Sequence, residues 1–201
     1  AAHVWRTING ALKEGFTVEN ASFDWQAVLK RKNVAVKKLA TGVSSLLSKS
    51  GVTVLSGEAR VERAHEVLLD RAYTARHIVL ATGSKPVCRV PSEDRLLTTD
   101  DILDLPALPA SLAVIGGGVV GCEIASIFAA FGVKVTVIEF MPRILPMFDA
   151  EVAETLRASM SAAGIKIITN ARVVRVTGSK PRRVALEDGA EIECETALEA
   201  I

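Results

Sequence analysis

Apolar residues at helical spacing dominate the stretch from Asp24 to Lys49. This spacing predicts one long amphipathic helix, with Asp24 suited to an N-cap and Gly51 following the last turn. The apolar positions of the helix are Trp25, Val28, Leu29, Val36, Leu39, Val43, Leu46 and Leu47.

Short runs of β-type sequence follow this helix and predict a small meander. Turn-forming residues such as Gly57 separate the runs, and the last run leads into a strand that we expect to be buried. The runs cover residues 52–55, 59–62, 66–69 and 73–81.

Prolines among charged residues change the pattern between Gly83 and Pro109. We predict a domain boundary there, with at most one short helix that begins near Thr99. A first domain then covers residues 1–87, a linker covers 88–110 and a second domain covers 111–201.

Strand and helix patterns alternate in the second domain, which is typical of βαβ units and a parallel sheet. Gly132 and Gly164 are helix stop signals, and Asp188-Gly189 is the dipeptide of a tight hairpin turn. The fold class expected is α/β and Rossmann-like. The predicted strands are 112–115, 134–139, 165–169, 172–176, 184–186 and 191–194, the predicted helices are 119–131 and 149–163, and a last apolar run covers 197–201.

Composition and charge narrow the classes of partner. Of the 201 residues 49% are apolar, and 24 basic and 23 acidic residues are well mixed, with a formal net charge of +1. No basic face for nucleic acid or anionic lipid stands out, and no apolar run approaches the roughly 20 residues that span a bilayer. We therefore expect no nucleic-acid partner and no membrane association.

The cysteines and histidines lack the spacing of metal or catalytic sites. Cys88, Cys122 and Cys194 form no CxxC or CxxxxC pair, and the three histidines are scattered. We interpret the cysteines as reduced thiols and the histidines as structural or solvated. The sequence therefore predicts no metal ligand and no catalytic residue in this chain.

A glycine-rich sequence directly after the strand at 112–115 carries the clearest chemistry. In a dinucleotide-binding unit the first glycine allows a tight turn, another lets the backbone approach a pyrophosphate, and the last lets the helix pack closely on the sheet. The free N–H groups at the start of the helix then face the phosphates. The predicted nucleotide turn consists of Gly116, Gly117, Gly118, Val119, Val120 and Gly121.

Glu139 predicts NAD in preference to NADP. It ends the next strand, 18 positions after Gly121, where a carboxylate can accept hydrogen bonds from the adenine ribose hydroxyls. A 2′-phosphate roughly 4 Å from this carboxylate would cost about 4 kcal/mol at a near-surface dielectric. Only a nearby cation could offset that cost, and Arg143 is the candidate in the sequence.

Two motifs in order resemble the flavoprotein disulfide reductases, which are pyridine nucleotide-disulfide oxidoreductases. Residues 78–86 read Ile-Val-Leu-Ala-Thr-Gly-Ser-Lys-Pro, and residues 114–123 read Val-Ile-Gly-Gly-Gly-Val-Val-Gly-Cys-Glu. Within that family the chain is most similar to the dihydrolipoamide dehydrogenases, over nearly everything from Asp24 onward. The resemblance implies a Rossmann-like FAD/NAD(P)-binding fold of three layers (ββα), with part of an FAD-binding domain at 1–87 and an NAD-binding domain at 111–201.

The resemblance also implies cofactor contacts at single positions. The backbone of Ala59 would meet the FAD adenine, and the backbone of Val173 would meet the NAD adenine. Glu123 matches an acid near the nicotinamide and flavin, although the lysine that relatives pair with it has no counterpart here. The flavin cofactor would be lined by Thr82, Gly83 and Ser84, a turn that by itself could equally be only a strand exit.

Relatives also carry parts that this chain does not. They begin with another GxGxxG for the FAD pyrophosphate and a CxxxxC electron relay, and they end with a dimerisation domain that supplies a catalytic His-Glu pair. The chain therefore resembles an internal segment of an enzyme that uses FAD and NAD for hydride transfer, and we expect the segment alone to be inactive and to retain FAD weakly or not at all. Glu199 departs from the apolar residue expected in a buried strand.

For the intact relatives the resemblance implies a small dithiol substrate, a homodimer, and the cytoplasm or the mitochondrial matrix as compartment. Two other functions stay open. A sibling flavoprotein reductase, such as a mercuric reductase or an NADH oxidase, would keep flavin and nucleotide but change the electron acceptor. A truncated, non-catalytic NAD-binding module is the alternative of a different class.

Overall fold

The computed structural model describes the backbone of residues 1–201 and every side chain except those of Leu12 and Lys13. The chain divides into a first unit, residues 1–29 and 86–201, and a second unit, residues 30–85. The predicted functional domains at 1–87 and 111–201 stay a prediction.

The chain begins with helix α1 (Ala2–Gly10), a 3₁₀ helix (Ala11–Glu14) and helix α2 (Trp25–Lys49). The structure confirms the long helix and its start: the backbone N–H of Gln26 donates a 2.8 Å hydrogen bond to Asp24 Oδ1, and that of Val28 donates to the Asp24 carbonyl. No residue of α2 is buried, and several of its apolar side chains, Leu39 among them, are exposed in this chain. Helix α1 has no predicted counterpart.

The second unit contains an antiparallel meander of strands β1 (Arg60–Arg63), β2 (Glu66–Leu68) and β3 (Ala72–Thr74). Two predictions for this region are wrong. Residues 52–55 form no strand, and the run at 73–81 is a strand only as far as Thr74, with Val79 85% exposed where burial was expected. In the described chain no neighbouring strand pairs with residues 52–55 or with residues 75–81, and a strand needs such a neighbour for its backbone hydrogen bonds.

Helix α3 (Thr99–Ile102) confirms the predicted short helix. A capping box fixes its start, because the backbone N–H and hydroxyl of Thr98 both donate to Asp101 Oδ2, at 2.8 and 2.6 Å. The elements that follow are β4 (Ser111–Ile115), α4 (Val119–Ala130), β5 (Lys134–Ile138), α5 (Ala150–Ala162), β6 (Lys166–Ile168), β7 (Val173–Thr177), β8 (Arg182–Leu186), β9 (Glu191–Cys194) and β10 (Thr196–Glu199).

These elements form a parallel sheet in the order β10-β4-β5-β6 and an antiparallel sheet in the order β7-β8-β9. Each predicted strand and helix of this region is present within about two residues of its predicted ends. The last apolar run became β10, which pairs in parallel with β4 and extends the sheet on the side away from β5. The carboxyl ends of four parallel strands therefore meet at one edge, the usual place for a ligand in such sheets.

The parallel sheet is buried on both faces, which explains why its strands read as near-continuous apolar runs. Leu112, Val114 and Val137 pack with α4 and α5, whereas Ala113, Ile115 and their neighbours pack against the antiparallel sheet. The result is the three-layer ββα, Rossmann-like fold that the sequence predicts. No helix in the part of the chain that the structure describes combines the length and apolar content needed to cross a bilayer.

Candidate functional site

The turn after β4 can be formed only by glycine at its first position. Gly116 has a φ of +113°, and its N–H continues the ladder by donating to the carbonyl of Ile138. A Cβ atom at Gly116 would lie 2.5 Å from the carbonyl oxygen of Ala200. The end of β10 therefore packs directly against the backbone of the turn.

Gly121 and Gly118 lack side chains for opposite reasons. A Cβ atom at Gly121 would collide with the carbonyl oxygen of Gly116, so α4 approaches the turn as closely as a glycine permits. A Cβ atom at Gly118 would meet nothing within 4 Å. The backbone at Gly118 thus faces open space that a bulky side chain would fill, as a pyrophosphate cradle requires.

Helix α4 begins at this open position. Gly118 is its N-cap and supplies no side-chain hydrogen bond, and no acidic residue lies in the first turn. The N–H groups at the start of a helix carry a partial positive charge that favours anions. The glycine turn therefore leaves its backbone accessible to an anion, and the start of α4 offers that anion a favourable electrostatic field.

Glu139 is buried at the start of the loop after β5, with 7% of its surface exposed. Its carboxylate accepts two backbone hydrogen bonds, one from Gly117 N to Oε2 at 2.5 Å and one from Met141 N to Oε1 at 2.7 Å. Its own N–H donates to the carbonyl of Ile168. The side chain is therefore fixed beside the glycine turn, a double backbone contact that spacing in the sequence could not reveal.

A crevice of about 500 Å³ opens at the carboxyl edge of the parallel sheet. Of the predicted site residues, Gly116, Gly118, Glu139 and Val173 line it. Gly117 is hydrogen-bonded to Glu139 and does not line the crevice, and Gly121 is buried in the first turn of α4. The ends of β4 and β5 and the glycine turn after β4 thus border the same crevice.

Val119, Val120 and Glu123 lie elsewhere. They line a separate hollow of about 700 Å³ along α4, which also includes Arg6 and Cys122. The structure therefore does not bring these three residues to the crevice that contains Glu139. Their proposed cofactor contacts concern a different face of the helix.

The predicted flavin-contact residues belong to the second unit. Ala59, Thr82, Gly83 and Ser84 are exposed and lie outside regular secondary structure. Gly83 has a φ of +70°, and a Cβ atom there would meet nothing within 4 Å. The turn thus leaves its backbone accessible, and the FAD contacts stay predictions.

Arg143 is not the cation that faces the crevice. Its guanidinium donates to the carbonyl oxygens of Pro146 and Phe148, at 3.3 and 3.2 Å. Arg172 lines the crevice instead, with its guanidinium carbon 5.1 Å from the centroid of the Phe140 ring. Sequence reasoning missed Arg172, and the only signal for it was its place directly before Val173.

The pKa values of all three cysteine thiols are raised. Cys122 is 4% exposed and its thiol donates to the Gly117 carbonyl; burial, with the charge of Glu139 as the lesser cause, raises its pKa to about 11. Burial also raises the pKa of Cys88 and of Cys194, and all three are free thiols. Little thiolate is therefore present near neutral pH. Among the described side chains, no group of three His, Cys, Asp or Glu residues could hold a metal ion.

The hydrogen bonds of Glu199 explain why an acid interrupts the apolar pattern of β10. It is 4% exposed, and its carboxylate accepts hydrogen bonds from the backbone N–H groups of Arg89, at 2.7 Å, and Val90, at 3.2 Å. Val90 lines the crevice. A buried acid therefore attaches the linker before α3 to the sheet edge.

The three-layer fold and the glycine turn define an FAD/NAD(P)-binding Rossmann-like protein. A family model described as pyridine nucleotide-disulphide oxidoreductase matches residues 7–201. The chain belongs to this family.

Similar proteins agree with that assignment. The chain is 37% identical to a dihydrolipoyl dehydrogenase of Chlamydia pneumoniae, covering 94% of the chain and 43% of the relative, and 35% identical to one of Bacillus subtilis, covering 90% and 42%. It is also similar to the crystal structure of LpdA from Mycobacterium tuberculosis, with a TM-score of 0.85, 28% identity, and coverage of 100% of this chain and 46% of that one. The chain thus spans less than half the length of these relatives.

Proposed function

We propose that this chain supplies the NAD site of an FAD- and NAD-dependent dihydrolipoamide dehydrogenase. The observation that carries the proposal is the open space at Gly118, in a crevice where Glu139 is fixed just after the end of the neighbouring strand β5. The dihydrolipoyl dehydrogenases among its relatives support the choice of enzyme. When bound, the flavin and nicotinamide would supply the hydride chemistry.

The residues of the chain bind and orient the nucleotide. Backbone N–H groups at the turn and the start of α4 hold the pyrophosphate, and the Glu139 carboxylate accepts hydrogen bonds from ribose hydroxyls with its remaining lone pairs. The backbone of Val173 contacts the adenine. Glu123, on the other face of α4, would lie toward the nicotinamide and flavin in the whole enzyme.

Glu139 is also our proposed basis for the choice of NAD. Because backbone N–H groups hold both of its oxygens, the carboxylate cannot swing away from an approaching 2′-phosphate. Two like charges near 4 Å apart cost about 4 kcal/mol at a near-surface dielectric. NADPH should therefore bind more weakly than NADH.

The FAD assignment rests on Ala59, Thr82, Gly83 and Ser84. The exposed turn at Gly83 leaves room for close backbone approach, which fits a cofactor contact. The sequence carries no second GxGxxG for the FAD pyrophosphate, so we expect this chain alone to retain flavin weakly and to be inactive with lipoamide. For the whole protein we propose a homodimer that acts on a small dithiol in the cytoplasm or the mitochondrial matrix.

Titration of the chain with NADH, NADPH and FAD tests these statements. We expect micromolar NADH affinity, weaker NADPH binding, no yellow colour after FAD incubation and gel filtration, and no lipoamide turnover. Absence of NADH binding by a folded chain would contradict the proposed site. Stable flavin retention would contradict the expectation of weak FAD binding.

A sibling reductase is the second candidate. The chain is similar to the HOCl-induced flavoprotein disulfide reductase RclA of Escherichia coli, with a TM-score of 0.79, 25% identity, and coverage of 100% of this chain and 46% of that one. Such an enzyme would use the same nucleotide site and differ in its electron acceptor. Assaying the whole protein with NADH and a panel of acceptors, lipoamide included, separates the two candidates.

A further inference from the structure

The loop after β5, residues 140–148, packs against the glycine turn and also borders the crevice. Ile144 is fully buried, and its Cγ2 atom would lie 3.0 Å from a Cβ atom at Gly117. Leu145 is buried as well, and Pro146, the next residue, lines the crevice. The same loop therefore supports the turn and forms part of the wall beside it.

A hydrogen bond from this loop sets the orientation of the peptide unit between Gly117 and Gly118. The Gly117 carbonyl accepts from the Leu145 N–H at 2.8 Å and from the Cys122 thiol at 3.4 Å. This peptide unit is trans, so its C=O and its N–H point in opposite directions. The Gly118 N–H therefore points away from Leu145, and no described atom of the chain accepts a hydrogen bond from it. It is left available to a ligand oxygen in the open space at Gly118.

The loop maintains an uncommon backbone conformation at Leu145. Its φ of +48° lies in the left-handed region, which a leucine rarely adopts, so the surrounding structure must hold it there. The Phe148 N–H donates to the Leu145 carbonyl at 2.9 Å. The Arg143 guanidinium donates to the carbonyl oxygens of Pro146 and Phe148, at 3.3 and 3.2 Å, and hydrogen bonds from a charged donor are stronger than neutral ones. Arg143 thus joins the two sides of the loop around Leu145.

We propose that Arg143 is a positioning residue for the dinucleotide. By closing the loop it keeps the Leu145 N–H on the Gly117 carbonyl, and that bond directs the Gly118 N–H toward the pyrophosphate. This inference rests on the proposed function, because it assumes that the pyrophosphate lies at Gly118. Arg143 itself does not line the crevice, so it acts through the loop and not by contact with the nucleotide.

Two other roles for Arg143 lead to different expectations. As the counter-ion of a 2′-phosphate, the role that the sequence alone suggests, it would affect NADPH and leave NADH unchanged. As a local surface contact it would affect neither nucleotide. A positioning role affects NADH and NADPH by the same factor, because both carry the same pyrophosphate.

The role is tested with the 201-residue chain and the variants Arg143→Ala, Arg143→Lys and Arg175→Ala. Arg175 is an exposed arginine on β7 that does not line the crevice, so its alanine variant is the matched control. Calorimetric titration gives the dissociation constants of NADH and NADPH for each protein. Amide hydrogen exchange, followed by NMR without nucleotide, measures how often the Leu145 N–H leaves its acceptor. The amide of Val114, in the central strand β4, is the reference.

For Arg143→Ala we expect NADH and NADPH to bind roughly three- to tenfold more weakly, by the same factor for both. The Leu145 amide should exchange roughly tenfold faster because the loop opens more often, whereas exchange at Val114 should stay unchanged. Arg143→Lys should recover part of both effects, because an ammonium group still donates to a carbonyl oxygen but lacks the fork of the guanidinium. Arg175→Ala should match the wild type in every measurement.

NADH affinity equal to that of the wild type in Arg143→Ala would overturn the positioning role, and so would a loss confined to NADPH. A loss of affinity with unchanged exchange at Leu145 would overturn it as well, and so would equal acceleration at Val114, which marks a general loss of stability. If the folded wild-type chain bound neither nucleotide, the proposed function would fail and the positioning role with it. If it bound NADH and the Arg143 variants bound it equally well, the proposed function would stand and only the role of Arg143 would fail.

Discussion

Gly117 and Glu139, 22 positions apart, are joined by a hydrogen bond in which the Gly117 N–H donates to Glu139 Oε2 at 2.5 Å. The bond ties the glycine turn after β4 to the end of β5, so the two halves of the proposed nucleotide site are fixed before any ligand arrives. A Cβ atom at Gly117 would lie 3.0 Å from both the Cβ and Oε2 of Glu139, which is a second reason for glycine there.

Replacing Glu139 by alanine should affect binding and stability together. The variant loses the ribose acceptor and leaves the N–H groups of Gly117 and Met141 without their partner, so we expect roughly tenfold or greater loss of NADH affinity and about 1–3 kcal/mol less stability. NADPH should lose less, because the repulsion of its 2′-phosphate also disappears. Calorimetric titration and urea denaturation measure the two effects.

The exposed acid Glu191 on β9 is the control, and Glu191→Ala should change neither quantity. If Glu139→Ala kept the wild-type ratio of NADH to NADPH affinity while losing stability, Glu139 would only brace the turn.

Gly118→Val should abolish nucleotide binding with little loss of fold. The added side chain enters open space, and Gly118 has a φ of −71° that other residues adopt, so only its value as an N-cap suffers, by about 1 kcal/mol. NADH titration should show no binding while the circular dichroism spectrum stays as in the wild type. NADH affinity equal to that of the wild type would refute the pyrophosphate position.

Gly121→Ala should give the reverse result, a damaged fold. The new Cβ atom would collide with the Gly116 carbonyl oxygen and push α4 from the sheet, at a cost of about 1–3 kcal/mol or more. Thermal denaturation should show a lower midpoint than in Gly118→Val. A variant as stable as the wild type would mean that α4 is free to move away from the turn.

The buried thiol of Cys122 should make stability fall at alkaline pH. Its folded-state pKa is raised from 9.0 to about 11, so above about pH 9 the unfolded thiol loses its proton first and unfolding is favoured. The stabilising contribution is complete below pH 9 and is lost as the pH rises to about 11, on the order of 1–2 kcal/mol.

Urea denaturation at pH 8, 9, 10 and 11, compared with Cys122→Ala, isolates this group, because every other titrating side chain is shared. The free energy of unfolding of the wild type should fall relative to that of Cys122→Ala as the pH rises. A constant difference would show that Cys122 ionises in the folded state as easily as in the unfolded state.

Glu199→Ala should destabilise the edge of the sheet. The N–H groups of Arg89 and Val90 would lose their acceptor; because Arg89 is exposed and Val90 is half-buried, water replaces part of the bonding, and we expect a loss of about 1 kcal/mol. Because Val90 lines the crevice, NADH affinity should fall as well. Glu193→Ala, an exposed position on β9, is the matched control for both measurements; equal stability of the two variants would exclude this bracing role.

Local signals predicted the elements from α3 to β10 well, whereas α1 had no counterpart in the prediction. Helix α4 lies between the glycine turn and Gly132, and the β8–β9 hairpin turns at Asp188-Gly189. Helix α3 starts at a capping box. The residues that these elements contact are close in sequence or present elsewhere in the chain. The meander was predicted less well. Residues 78–81 have strand composition but no partner strand among the described residues, and composition alone cannot supply one.

The sequence by itself determined the α/β class, the glycine turn and the acid at the end of β5, because each depends on residue type and spacing along a short segment. Only the tertiary structure decided that Arg172 rather than Arg143 faces the crevice, that Glu139 is held by two backbone N–H groups, and that Glu199 is buried against the linker. Those relationships join residues many positions apart, and it is packing of the sheets that brings them within hydrogen-bond or ring-contact distance.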